Sequence, residues 1–155
     1  MSPRLFLSRC VEPGLLLLPG YMVSDAARVM LLAIAGQECN LQHRAQLGGS
    51  ARGYWQFEQG GVDAVLRVLP VLAQMVLDTL DIASGEALLA IKFNDPLACA
   101  FARLLLWADP APLPAVGNEL AAWTYYLRGW KPGKPDITRW GTAYATAVST
   151  VQAES

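Results

Sequence analysis

Leu32–Gly61 reads LAIAGQECNLQHRAQLGGSARGYWQFEQGG. It opens as a helix and closes in a Gly-rich turn crowded with aromatics. Upstream, Val29, Met30, Ala33 and Ile34 recur at helical spacing, and Ser24 or Asp25 supplies an N-cap. The pattern predicts a helix over residues 24–39. Glu38 lies one turn beyond Ile34, on the same face, where the apolar pattern runs out. Two effects raise the pKa of a carboxyl placed there. The helix C-terminus carries partial negative charge, and apolar surroundings disfavour the ionised form. A carboxyl that keeps its proton near neutral pH is what a general acid requires. The competing reading is a helix-terminal Glu paired on the surface with Arg44 or Arg52.

Around this stretch, 155 residues make one domain the simplest expectation, with enough chain to bury a core. Charged residues are 16% and hydrophobic ones 54%, so most helices should be well buried. A net charge of −1 provides no global basic field for nucleic acid or anionic membranes. Local patches at Arg44 and Arg52, or at Lys131 and Lys134, remain. Cys10, Cys39 and Cys99 are odd in number with no close pair, which argues for a reducing compartment over a disulfide framework. Cys39 with His43 is a weak nucleophile pair, too close in sequence for the usual separate base. No metal-ligand spacing, P-loop, dinucleotide fingerprint or G-x-S-x-G occurs. No metal and no cofactor is expected.

The N-terminal MSPRLFLSRCVEPGLLLLPG mimics a signal peptide, but Glu12 and Pro13 interrupt it and no A-x-A site follows. No segment reaches the roughly 18 apolar residues of a membrane span, so no membrane insertion is expected. Residues 1–23 read as irregular, punctuated by Pro3, Pro13, Pro19, Gly14 and Gly20, with leucines padding the core. Helical spacing recurs over Gly61–Leu69 and Pro70–Asp81, with Pro70 at a break or a first turn. A short helix follows over Ser84–Ile91. Asn94-Asp95-Pro96 opens another that runs to Trp107. DPAPLP at 109–114 is a rigid connector. Helices are expected over Asn118–Trp130 and from an Asp136 cap to about Gln152, separated by the KPGKP break at 131–135. The only strand signal is in 44–58, so the reading is mainly α.

AIAGQEC followed by ARGYWQ resembles the first two motifs, roughly A-I-x-x-E-S and G-L-M-Q, of the lysozyme-like lytic transglycosylases. Glu38-Cys39 stands at Glu-Ser, and Gly53-Tyr54-Trp55-Gln56 at Gly-Leu-Met-Gln, with Gln56 following Glu38 by 18 residues. Within that family the closer resemblance is to phage-type proteins with an R-x-Q-x-G-G-x-A-R-G-x-W-Q-F-E block. Arg44, Gln46, Gly48, Gly49, Ala51, Arg52, Gly53, Trp55, Gln56, Phe57 and Glu58 match it. Ala122–Trp140 resembles their C-terminal segment. The resemblance implies a lysozyme-like helical domain with a small β-hairpin or loop wall beside a cleft. It implies cleavage of the β-1,4 bond between N-acetylmuramic acid and N-acetylglucosamine in peptidoglycan, for phage lysis or wall penetration; with the interrupted N-terminal stretch, the expectation is a protein made in the cytoplasm.

The same resemblance assigns Glu38 as general acid and then base, and Gln56 to substrate binding. Gln56 could equally hold its own loop together. Gly53 would let backbone approach a sugar, or serve a φ > 0 turn. Arg52, Tyr54 and Trp55 are candidate sugar contacts, although such aromatics are also ordinary core; Phe57 reads as core. The family's third motif, roughly A-Y-N, has only a degraded counterpart at Ala90–Asn94. Asn94 is then a sugar contact or a helix cap, and Tyr125 or Tyr126 would supply the missing phenol. Glu58 is the candidate second carboxylate, on Gln56's face if the segment is extended, or a partner for Arg44 or Arg52. A hydrolase needs such a second carboxylate; a transglycosylase does not, since the sugar's own 6-hydroxyl attacks. Trp123, Trp130, Trp140 and the KPGKP turn read as a packed corner, with a carbohydrate-binding surface as the alternative. Transglycosylase, hydrolytic lysozyme and a non-enzymatic wall-binding or virion protein remain open, with a monomer expected.

Overall fold

The computed structural model describes residues 1–44 and 48–155, so Gln46 of the motif block lies outside the described residues. Residues 1–23, expected to be irregular, are helical for most of their length. They form α1 (Pro3–Phe6), a π-helical turn (Leu7–Val11), α2 (Glu12–Leu15) and a 3-10 turn (Gly20–Met22). Ser2 caps α1 through its side chain, with Pro3 in the first turn. Inside an α-helix, Pro13 would clash with the carbonyl four residues back; here it follows the wider π turn, which relieves that clash. Gly14 is demanded by packing: a Cβ there would lie 2.3 Å from Cys99 Cβ. Phe6, Cys10, Val11 and Leu15 are buried.

Helix α3 (Asp25–Cys39) begins where Ser24 Oγ accepts the Ala27 N–H at 3.1 Å. From Ala27 to Ala35 every side chain except Arg28 is buried. A helix apolar on all sides belongs inside the fold. Asn40, at φ 52°, ends it in the left-handed conformation.

Helices α4 (Gln59–Val68) and α5 (Pro70–Thr79) meet at a 111° bend, with Pro70 in the first turn of the second. A 3-10 turn (Ser84–Glu86) leads into α6 (Ala87–Ile91). The second buried helix is α7 (Asp95–Trp107), capped by Asn94, whose side chain accepts the Leu97 N–H at 2.9 Å. Asn118 caps α8 (Glu119–Trp130) in the same way. Lys131, at φ 47°, turns the chain out of α8 into KPGKP. Asp136 then caps α9 (Ile137–Ala153), accepting from Thr138 and Arg139. Helix α9 lies along α3, close enough that a Cβ on Gly36 would meet Ala143 Cβ at 2.9 Å.

The fold is therefore mainly α. The expected hairpin reduces, among the described residues, to one antiparallel bridge, Arg52–Phe57. No single helix among them is long and apolar enough to cross a membrane.

Candidate functional site

The bridge closes a tight loop. Arg52 and Phe57 exchange two backbone hydrogen bonds of 2.8 Å, and Gly53 (φ 72°) and Gln56 (φ 53°) turn the chain between them. Three bonds fasten the loop to the core. The Trp55 indole N–H donates to Leu31 O at 2.9 Å, the Cys39 thiol donates to Tyr54 O at 3.2 Å, and the Trp130 indole N–H donates to Trp55 O at 3.0 Å. Phe6 packs edge-on against Tyr54, with centroids 4.9 Å apart. Burial raises the Cys39 pKa and both of its thiol bonds go to carbonyls, so it acts as a structural donor and not a thiolate nucleophile.

Glu38, in the last turn of α3, is half-buried. Its Oε1 accepts a 2.6 Å hydrogen bond from the Tyr126 hydroxyl, and Oε2 has no partner among the described residues. Desolvation pushes the Glu38 pKa up, opposed by the Tyr126 hydrogen bond and the positive charge of Arg139. Tyr126 is itself locked: it is 1% exposed and stacks on Trp140 at 5.0 Å and 13°. Arg139 is positioned by its own bond to Gln37 O at 3.2 Å. Gln37, beside Glu38, is buried with an Oε1 that no described residue satisfies. A buried acceptor without a donor is costly in a closed protein.

These residues share a cleft of about 790 Å³. Gln37, Glu38 and Tyr126 line it together with Gln56, Glu58 and Trp130, and KPGKP forms a rim carrying Lys131 and Lys134. Gln56 spends its Nε2 on Gly53 O at 2.9 Å, leaving Oε1 without a partner among the described residues. A second hollow of about 610 Å³ shares Glu38 and Arg139 with the cleft. By contrast, the 710 Å³ cavity between the chain ends has charges that satisfy one another: Arg4 pairs with Glu154 and Arg28 with Glu12, both at 2.6 Å.

Of the candidates named from sequence, the structure brings Glu38, Gln56, Tyr126 and Glu58 into one cleft. It does not bring in the others. Tyr54 and Trp55 are core, at 4% and 0% exposure. Arg52 holds the loop by donating to Gly49 O and Ala51 O, and Gly53 makes the turn. Asn94 is a helix cap. Tyr125 faces away from the cleft and donates to Leu106 O and Ala111 O. Glu58 is exposed and pairs with neither Arg44 nor Arg52: Arg44 is bidentate to Asp95, at 2.9 and 2.7 Å. The left-handed Gln56 also breaks the extended register that would set Gln56 and Glu58 on one face.

Sequence reasoning missed Gln37 and Arg139. The first adjoins Glu38 without a motif of its own. The second joins the site only because α9 lies along α3. No family model matches the chain, and neither a curated protein nor a solved structure is similar to it at a significant level.

Proposed function

We propose that this protein cleaves the β-1,4 bond between N-acetylmuramic acid and N-acetylglucosamine in peptidoglycan, as a lytic transglycosylase with Glu38 as acid and then base. The observation that carries the proposal is the half-buried Glu38 carboxyl in the cleft, its pKa raised by desolvation, with one oxygen held by Tyr126 and the other without a partner among the described residues. In the protonated form Oε1 accepts from Tyr126, so the proton resides on Oε2. Oε2 gives it to the glycosidic oxygen as the bond to C1 breaks. The carboxylate left behind is stabilised by the Tyr126 hydroxyl and Arg139. It then takes the proton of the sugar's 6-hydroxyl as that oxygen bonds to C1, which closes a 1,6-anhydro ring and regenerates the acid. The Oε1 of Gln56, without a partner among the described residues, is an acceptor suited to the N–H and hydroxyl groups of N-acetylated sugars. The half-buried Trp130 ring offers a stacking surface.

A hydrolytic mechanism is the second reading, because Glu58 lines the same cleft. The exposure of Glu58, whose one side-chain bond among the described residues is from Ser50 Oγ at 3.4 Å, favours transglycosylation. Clearing of purified peptidoglycan by wild type and by Glu38→Gln tests the proposal. Loss of clearing in the variant supports it. Equal clearing removes Glu38 from the mechanism, and no clearing by the wild type leaves a non-catalytic wall binder. Mass spectrometry of the released sugars separates anhydro ends from reducing ends.

A further inference from the structure

The chain carries a net charge of −1, yet its cleft is locally cationic. Lys131, Lys134 and Arg139 line it against two carboxyl groups, Glu38 and Glu58. While Glu38 holds its proton, Glu58 is the only negative charge among these lining residues. The chain has three lysines, and two of them are on this rim. Arg4, Arg28, Arg44 and Arg128 each pair with a carboxylate, whereas Lys131 and Lys134 form no ion pair among the described residues. Arg139 spends one N–H on the neutral Gln37 carbonyl. The backbone that carries the lysines is restricted. Lys131 is the left-handed terminus of α8, and Pro132 and Pro135 restrict the few residues before the Asp136 cap. Exposed cations gathered along one rim give the cleft a locally positive potential, screened by salt.

We propose that Lys131, Lys134 and Arg139 form an anion-reading rim that takes the free carboxylates of peptides branching from the glycan. The substrate class is then the acidic, peptide-bearing polymer and not a neutral N-acetylglucosamine chain. This rests on the glycan-cleaving reading above. The test compares soluble sonicated peptidoglycan with the same material after carbodiimide-driven amidation of its carboxylates by ammonia, which keeps the peptides and removes their charge. Fragment release is read by chromatography for wild type and for the Lys131→Ala/Lys134→Ala double variant. Arg139 is left in place because it also touches Gln37 and faces Glu38. Exposed ion pairs of this kind are each worth about 2- to 5-fold. The two lysines together should therefore give the wild type a preference for the native polymer of about 4- to 25-fold at low salt, less at high salt. The double variant's native-to-amidated ratio should fall towards one. Equal cleavage of both polymers by the wild type, or an undiminished preference in the double variant, overturns the rim. If the wild type cuts neither polymer, the glycan-cleaving reading fails, and co-sedimentation with intact sacculi decides the rim separately. Pelleting with native but not amidated sacculi, lost in the double variant, sustains it; equal pelleting overturns it.

Discussion

The Tyr126 hydroxyl donates a 2.6 Å hydrogen bond to Glu38 Oε1 across 88 positions of sequence. Glu38 ends α3 and Tyr126 sits in α8, so packing alone makes them partners. The bond favours the ionised carboxylate, while burial favours the protonated one and wins. A carboxyl under two opposed influences can lose and regain a proton within one catalytic cycle.

Tyr126→Phe removes the donor and keeps the ring stack. The Glu38 pKa should rise further, and the basic limb of the pH–activity profile should move to higher pH. Tyr125→Phe is the control. It loses bonds to Leu106 O and Ala111 O, costing about 1 kcal/mol of stability, with the profile unmoved. Rates of peptidoglycan cleavage across pH separate the two.

Glu38→Gln should stabilise the fold at neutral pH. Because the folded pKa lies above the unfolded one, the native state binds more protons in the interval between them. Stability contributed by Glu38 is thus present below the ordinary glutamate value of 4.5 and is lost as pH rises through the raised folded value. Urea unfolding of both proteins at pH 4 and pH 7 should show the variant gaining on the wild type at the higher pH. A constant difference would mean that Glu38 titrates normally.

Gly53→Ala should unfold the loop that holds Gln56. The residue has φ 72°, and a Cβ would lie 2.9 Å from Ile91 Cγ2 and 3.2 Å from Ile91 O. Conformational strain and overpacking together should cost about 2–4 kcal/mol, measured by denaturant titration.

Asn94→Ala separates a cap from a sugar contact. Losing the acceptor for Leu97 N–H should cost about 1 kcal/mol, with KM for soluble peptidoglycan unchanged. A raised KM at unchanged stability would place Asn94 at the substrate instead.

Trp130→Phe keeps an aromatic ring in the cleft but deletes the N–H that holds Trp55 O. A stability loss of about 1 kcal/mol is expected, along with a higher KM as the Gln56 loop loosens. An unchanged KM would show that the two remaining anchors, the Trp55 indole N–H on Leu31 O and the Cys39 thiol on Tyr54 O, suffice.

Helix starts were legible because they are local. Ser24, Asn94, Asn118 and Asp136 each accept backbone N–H groups two or three residues ahead, and that needs nothing from the rest of the chain. The mainly helical class and the break at Pro70 follow from the same short-range rules. Residues 1–23 misled the same logic. Pro13 and Gly14 look like breakers until a π turn accommodates one and Cys99 presses on the other.

From residue 24 onward, the sequence by itself determined roughly where helices begin and end, and that a carboxyl would sit at the last turn of α3, since hydrogen-bonding and apolar periodicity act over a few residues. Only the tertiary structure decided what surrounds that carboxyl. Tyr125 and Tyr126 are adjacent on α8, and successive helical side chains point about 100° apart. Which of them meets Glu38 depends on how α8 and α9 pack against α3, a contact that no local rule encodes. The same packing turned Tyr54 and Trp55 inward and placed Gln37, Arg139 and the KPGKP lysines around the cleft.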